Sequence, residues 1–114
     1  MQYMLLIYEK SGWQAAMSDD ERQTLGREYY SITNDPRVTP GRWMKPAEFA
    51  TTVRIREGEP LITDGPFADT KEVFGGYLVY TADNLDQAIE MASRIPQARL
   101  GGAVEIRPLV EQQS

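Results

Sequence analysis

A single α+β domain, with two helices laid on one face of an antiparallel sheet, is the fold that this sequence predicts. Three observations carry it. Segments of strand character and helical character follow in the order strand, helix, hairpin or strand, strand, helix, strand. The two helical segments are separated by strands instead of following one another. The 114 residues suffice for one modest core and leave no room for a separate cofactor-binding domain. That order suits a ferredoxin-like arrangement.

Each element has its own signal. Tyr3-Met4-Leu5-Leu6-Ile7-Tyr8 is apolar at successive positions, so both faces of the first strand should be covered. Ser18-Asp19-Asp20-Glu21 has the spacing of a capping box, with acidic residues placed favourably for the helix dipole. It predicts a helix from about Asp19 to about Asn34, with Leu25, Tyr29 and Ile32 on one stripe and Asp35-Pro36 as its stop. Arg37 to Glu48 holds Pro40, Gly41 and Pro46 and reads as a connection, with a short extended piece around Trp43 and Met44. Thr51 to Arg56 alternates apolar and polar residues, and the Glu57-Gly58-Glu59-Pro60 turn leads into Leu61-Ile62-Thr63, which together predict a hairpin. Gly76 to Thr81 is a further strand. Asn84 or Asp83 caps a second helix, stopped by Pro96, whose Leu85, Ile89, Ala92 and Ile95 are expected to face the sheet. Ala103 to Val110 closes the sheet, Pro108 marking its end or an edge.

Composition removes several classes of function. Twelve Lys and Arg against seventeen Asp and Glu give a formal charge of −5. No stretch interleaves basic residues with aromatics, so no direct nucleic-acid partner is expected. The opening Met1 to Lys10 is apolar for too few residues to span a membrane and lacks the basic region and cleavage site of a signal peptide, which predicts a cytoplasmic protein. With no cysteine and no histidine, disulfides, thiolate nucleophiles and the commonest general base are all missing. The acidic residues do not group at a calcium-loop or zincin spacing, so neither metal nor cofactor is expected. Any catalysis must use carboxylates, Lys, Tyr, Arg or the backbone. A sheet with helices on one face leaves its other face bare; Met4, Leu6 and Tyr8 then need cover, and a homodimer packed sheet to sheet supplies it.

The stretch Thr63 to Val79, TDGPFADTKEVFGGYLV, taken with LDQAIEMASRIP and GGAVEIRPL further on, resembles the DGPF-type branch of the YCII-related family. The motifs lie in the second half of the chain and the first half matches by pattern. The resemblance implies one domain over residues 1–114, a dimeric α+β barrel, and a genomic association with alternative sigma factors. Some relatives are thought to use a His–Asp pair in a lyase-like step on small oxygenated substrates. Asp64 matches that Asp, but with no histidine the dyad cannot be carried over intact.

Asp64 is therefore the candidate catalytic residue, and it either faces a ligand or only shapes the turn at Gly65-Pro66. The expectation is that Pro60 to Gly76 forms the rim of a cleft, with Asp64 turned towards it and Phe67 anchoring the loop in apolar contacts. Lys71 and Glu72 are adjacent, so in an extended loop at most one of them faces Asp64. Gly75 and Gly76 suit a strand bulge or a cradle for an anionic group. Arg107 shares a strand face with Glu105 and either pairs with it or holds a substrate carboxylate. Tyr8, with Tyr3, Tyr77 and Tyr80, offers an aromatic wall and a hydroxyl. Two functions remain open: a dimeric protein that binds a small anionic or oxygenated metabolite or acts in regulation, and a lyase or isomerase with a carboxylate base in the dimer cleft.

Overall fold

The computed structural model describes residues 1–68 and 71–111. Its strands are β1 (Gln2–Lys10), β2 (Val38–Trp43), β3 (Thr51–Arg56), β4 (Glu59–Asp64), β5 (Glu72–Thr81) and β6 (Ala103–Pro108), and its helices are α1 (Asp19–Thr33) and α2 (Leu85–Arg94). Single 3₁₀ turns span Trp13–Ala16, Ala47–Phe49 and Pro96–Ala98. The main sheet runs β2-β5-β1-β6, and every neighbouring pair is antiparallel. This is the predicted ferredoxin-like plan, with the β3–β4 hairpin inserted as a separate two-stranded sheet.

Alternation in β1 decides where the core lies. Tyr3, Leu5 and Ile7 point to the helical side, where they pack with Leu78 and Tyr80 of β5, Ile32 of α1, and Ala88, Met91 and Ile95 beside them. Met4, Leu6 and Tyr8 point to the other face and are only half-buried.

Both helices begin where their caps predict. The Ser18 hydroxyl accepts from the Glu21 amide at 3.1 Å, as the cap requires, and donates to the Glu21 carboxylate at 3.1 Å, so the carboxylate meets the cap's hydroxyl and not its backbone amide. Ser18→Ala is expected to cost about 1 kcal/mol, read as a lower urea midpoint with an unchanged slope. Asn84 accepts from the Gln87 amide at 3.0 Å and starts α2.

Two expectations are corrected. The stretch after Arg37 is a strand, β2, and not a connection: it lies at the sheet edge, where Pro40 needs no ladder donor, and the register shifts between Pro40 and Trp43. On α2 the inward stripe is Ala88, Met91 and Ala92, continued by Ile95 just past its end, while Leu85 and Ile89 are 50% and 45% exposed. The fully buried Ala88 lets the helix approach the sheet closely, which turns the bulkier Leu85 and Ile89 to the flank.

The predicted hairpin forms, with Glu57 and Gly58 both at positive φ, 52° and 79°, as a two-residue turn joining twisted strands requires. It stands away from the rest as an arm. The Cα radius of gyration is 16.3 Å and the principal extents are 47 × 46 × 18 Å, against about 13 Å for a compact chain of this length.

Candidate functional site

The inward row of β1 continues to Glu9. Opposite it, Ile7 pairs with Gly76 and Tyr8 with Phe74, so Gly75 is the extra residue of a β-bulge. A Cβ on Gly75 would lie 2.5 Å from the Glu9 carboxyl carbon, and one on Gly76 would lie 2.7 Å from the Trp43 ring. The paired glycines thus make room for two side chains, Glu9 and Trp43, on the wall of one cavity.

That cavity, about 770 Å³, lies where the Trp13–Ala16 turn and α1 meet the ends of β1, β2 and β5. Glu9, Trp13, Arg22, Tyr29, Trp43 and Gln97 line it, and its size is that of small-molecule sites in general. Tyr29 meets Trp43 edge to face, with ring centroids 4.9 Å apart. The Arg22 guanidinium donates to the Gln14 carbonyl at 3.1 Å and holds the turn that bears Trp13.

Two polar groups in this wall have no partner among the described residues. Gln97 is 2% exposed, and both its amide nitrogen and its carbonyl oxygen lack hydrogen bonds. The Tyr29 hydroxyl is buried and equally unpaired. Each such group costs on the order of 1–3 kcal/mol. Gln97 has little freedom to escape, because its turn starts at Pro96 and its own backbone carbonyl accepts from the Gly102 amide at 3.0 Å. Burial pushes the Tyr29 phenol up, and the charges of Glu9 and Glu28 add to this, so the hydroxyl stays a proton donor. Glu9 makes no side-chain hydrogen bond or ion pair among the described residues.

A second polar group lies on the opposite face of the sheet. Tyr8 donates to Glu105 Oε1 at 3.2 Å, and Arg107 donates to Glu105 Oε2 at 2.7 Å. The Arg107 guanidinium holds the Glu105 carboxyl below the usual carboxylate range. Of the two uses open to Arg107, this is the ion pair. Phe74 lies beside Tyr8 at 5.5 Å.

The predicted residues are therefore divided. Gly75 and Gly76 adjoin the cavity; Tyr8 and Arg107 meet on the open sheet face. Asp64 ends β4 opposite Thr51, exposed and outside the cavity lining. Lys71 and Glu72, also exposed, are outside that lining too, and the Lys71 carbonyl accepts from the Ser11 amide at 3.3 Å. Residues 69 and 70 of the expected cleft rim lie outside the described residues. Phe67 is not an apolar anchor: it is 72% exposed and packs against the Arg54 guanidinium, 4.6 Å from its ring centre.

Sequence reasoning missed Glu9, Trp13, Tyr29 as a site residue, Trp43 and Gln97. Glu9 was accessible through the odd-numbered row of β1. Nothing in the sequence distinguishes Gln97 from a solvent-facing glutamine.

The YCII-related domain model matches residues 1–113. The chain belongs to the YCII-related family. This YCII-related protein is 30% identical over 114 residues to an uncharacterized protein of Rhizobium meliloti (strain 1021), the match covering 96% of this chain and 92% of that one. Among solved structures it is similar to the 5-chloro-2-hydroxyhydroquinone dehydrochlorinase of Burkholderia phenoliruptrix AC1100, in complex with 2,5-dihydroxybenzoquinone. The TM-score is 0.57, with 98% of this chain and 96% of the other covered at 14% identity. At that identity the likeness shows the shared fold alone.

Proposed function

We propose that this YCII-related protein is a homodimer that binds a small oxygenated, planar molecule in the cavity bounded by Glu9, Tyr29, Trp43 and Gln97. The observation that carries the reading is Gln97, a buried carboxamide with both its donor and its acceptor unpaired on the cavity wall. A ligand with adjacent donor and acceptor atoms satisfies both at once, and the Tyr29 hydroxyl supplies another donor. Trp13 and Trp43 provide apolar walls for a ring. The small quinone bound by the structural neighbour belongs to the same chemical class and supports the choice of probe.

A second reading, lyase or isomerase, is favoured by Glu9. Its carboxylate is unpaired among the described residues and shares the cavity with a phenol that remains protonated, which is one acceptor and one donor for moving a proton. Asp64, the base expected from the sequence, belongs to this reading only in the dimer, where the arm that carries it meets a second copy.

Titration with 2,5-dihydroxybenzoquinone, followed by quenching of Trp13 and Trp43, the two tryptophans of the chain, tests the binding reading. Gln97→Leu keeps the bulk and removes both polar atoms. It is expected to weaken binding at least about tenfold while leaving stability equal or higher. Equal affinity in the variant, or no quenching of the unmodified protein by this probe, would sink the proposal.

A further inference from the structure

We infer that the β3–β4 arm is a clasp for a second copy of this chain, closing its apolar face over that copy; this deepens the homodimer reading above and rests on it. The register pairs Thr51 with Asp64, Val53 with Ile62 and Ile55 with Pro60 on one face of the hairpin, polar at its base and apolar from Val53 and Ile62 out to the turn. The other face carries Thr52 with Thr63, Arg54 with Leu61, and Arg56 with Glu59. Every residue of β3 and β4 except Thr52 is exposed, so the apolar face has no cover within its own chain.

A free two-stranded hairpin is marginal in water, and one whose outer part presents an apolar face needs something to lie against. The second copy is the occupant that the chain itself provides. The open face of the main sheet, with Met4, Leu6, Tyr77 and Val79 half-buried, is a matching apolar surface on the same polypeptide. The arm does not cover that of its own copy: Val53, Ile55 and Ile62 are exposed, and Met4, Leu6, Tyr77 and Val79 are still partly open.

The area is also sufficient. Six residues of paired strands cover roughly 20 by 10 Å, or about 300 Å² of accessible surface once side-chain relief is counted. Two arms related by a two-fold axis, each with the surface it covers, bury on the order of 1,200 Å², the lower end of stable interfaces before any sheet contact is added.

The open end of the arm is closed by its own bonds: the Gly65 amide donates to the Ala50 carbonyl and the Thr52 hydroxyl to the Gly65 carbonyl, both at 2.8 Å. Just before this end, Pro46, Ala47 and Glu48 form part of the cavity wall. Clasping a second copy therefore fixes a wall of the binding cavity.

Sedimentation equilibrium over nanomolar to micromolar concentrations tests the clasp with V53K/I62K on the apolar face and Thr63→Lys on the polar face. The expected result is a dimer for the unmodified chain and for Thr63→Lys, and at least about a hundredfold weaker association for V53K/I62K. Far-ultraviolet circular dichroism and thermal unfolding should show all three folded, because the substituted side chains are exposed. An unmodified chain that is monomeric overturns the dimer reading and the clasp together. A dimer that V53K/I62K leaves intact overturns the clasp alone, as does equal loss of association in Thr63→Lys, which would mean that the altered face is irrelevant.

Discussion

Met91→Asp is expected to remove a large part of this protein's stability, while Ile89→Asp, two residues away on the same helix, leaves it nearly as stable as before. Met91 is buried in the cluster that joins α2 to β1 and β5, where a carboxylate must shed its water, and Arg37 and Arg94, which line a small cavity beside Met91, offset that cost in part at most. Introducing the carboxylate costs about 4–5 kcal/mol, a large part of the roughly 5–15 kcal/mol by which domains of this size are stable. Ile89 lies on the flank, and an aspartate there reaches water, so the change should stay under about 1 kcal/mol. Urea unfolding followed by circular dichroism separates the two. Equal losses would mean that Ile89 is buried by something other than its own chain.

Gly102→Ala is expected to be strongly disruptive. A Cβ there would lie 2.1 Å from the Tyr8 carbonyl oxygen and 3.1 Å from that of Gln97. Both obstacles are backbone, so no side chain can rotate aside, and β6 must lift from β1 or the Pro96–Ala98 turn must shift. The cost is about 3 kcal/mol by analogy with overpacking, and ligand binding should weaken as well because Gln97 moves. Gly26→Ala is the contrast: a Cβ on Gly26 meets nothing within 4 Å, and in a helix the change should stabilise by up to about 1 kcal/mol. Melting temperatures that move in the same direction for both would contradict the packing described for Gly102.

The fold was legible because its signals are local. The capping box at Ser18, the Asn84 cap, the Pro96 stop and the Glu57-Gly58 turn each act through neighbouring backbone groups, and each produces the element it predicts. The ligand cavity was not legible for the opposite reason. Glu9, Tyr29 and Gln97 come from three elements far apart in sequence, and only the sheet order and the Gly75 bulge bring them to one wall. The conspicuous Asp64-Gly65-Pro66-Phe67 stretch drew attention to charge and turn chemistry, yet in one copy it ends an exposed arm. Strand β2 was hidden by Pro40 and Gly41, which break a central strand but not an edge.

The same prolines govern what a crowded solution of this protein does. Pro40 in β2 and Pro108 at the end of β6 interrupt the donors along both outer rims of the main sheet, and Pro60 does so in β4. A rim without a continuous row of N–H groups is a poor template for another strand, so fibres that grow by strand addition are blocked at each of these rims. Copies of the chain can then meet through their faces with strand addition disfavoured at these rims, while β3, which has no proline, keeps an uninterrupted one.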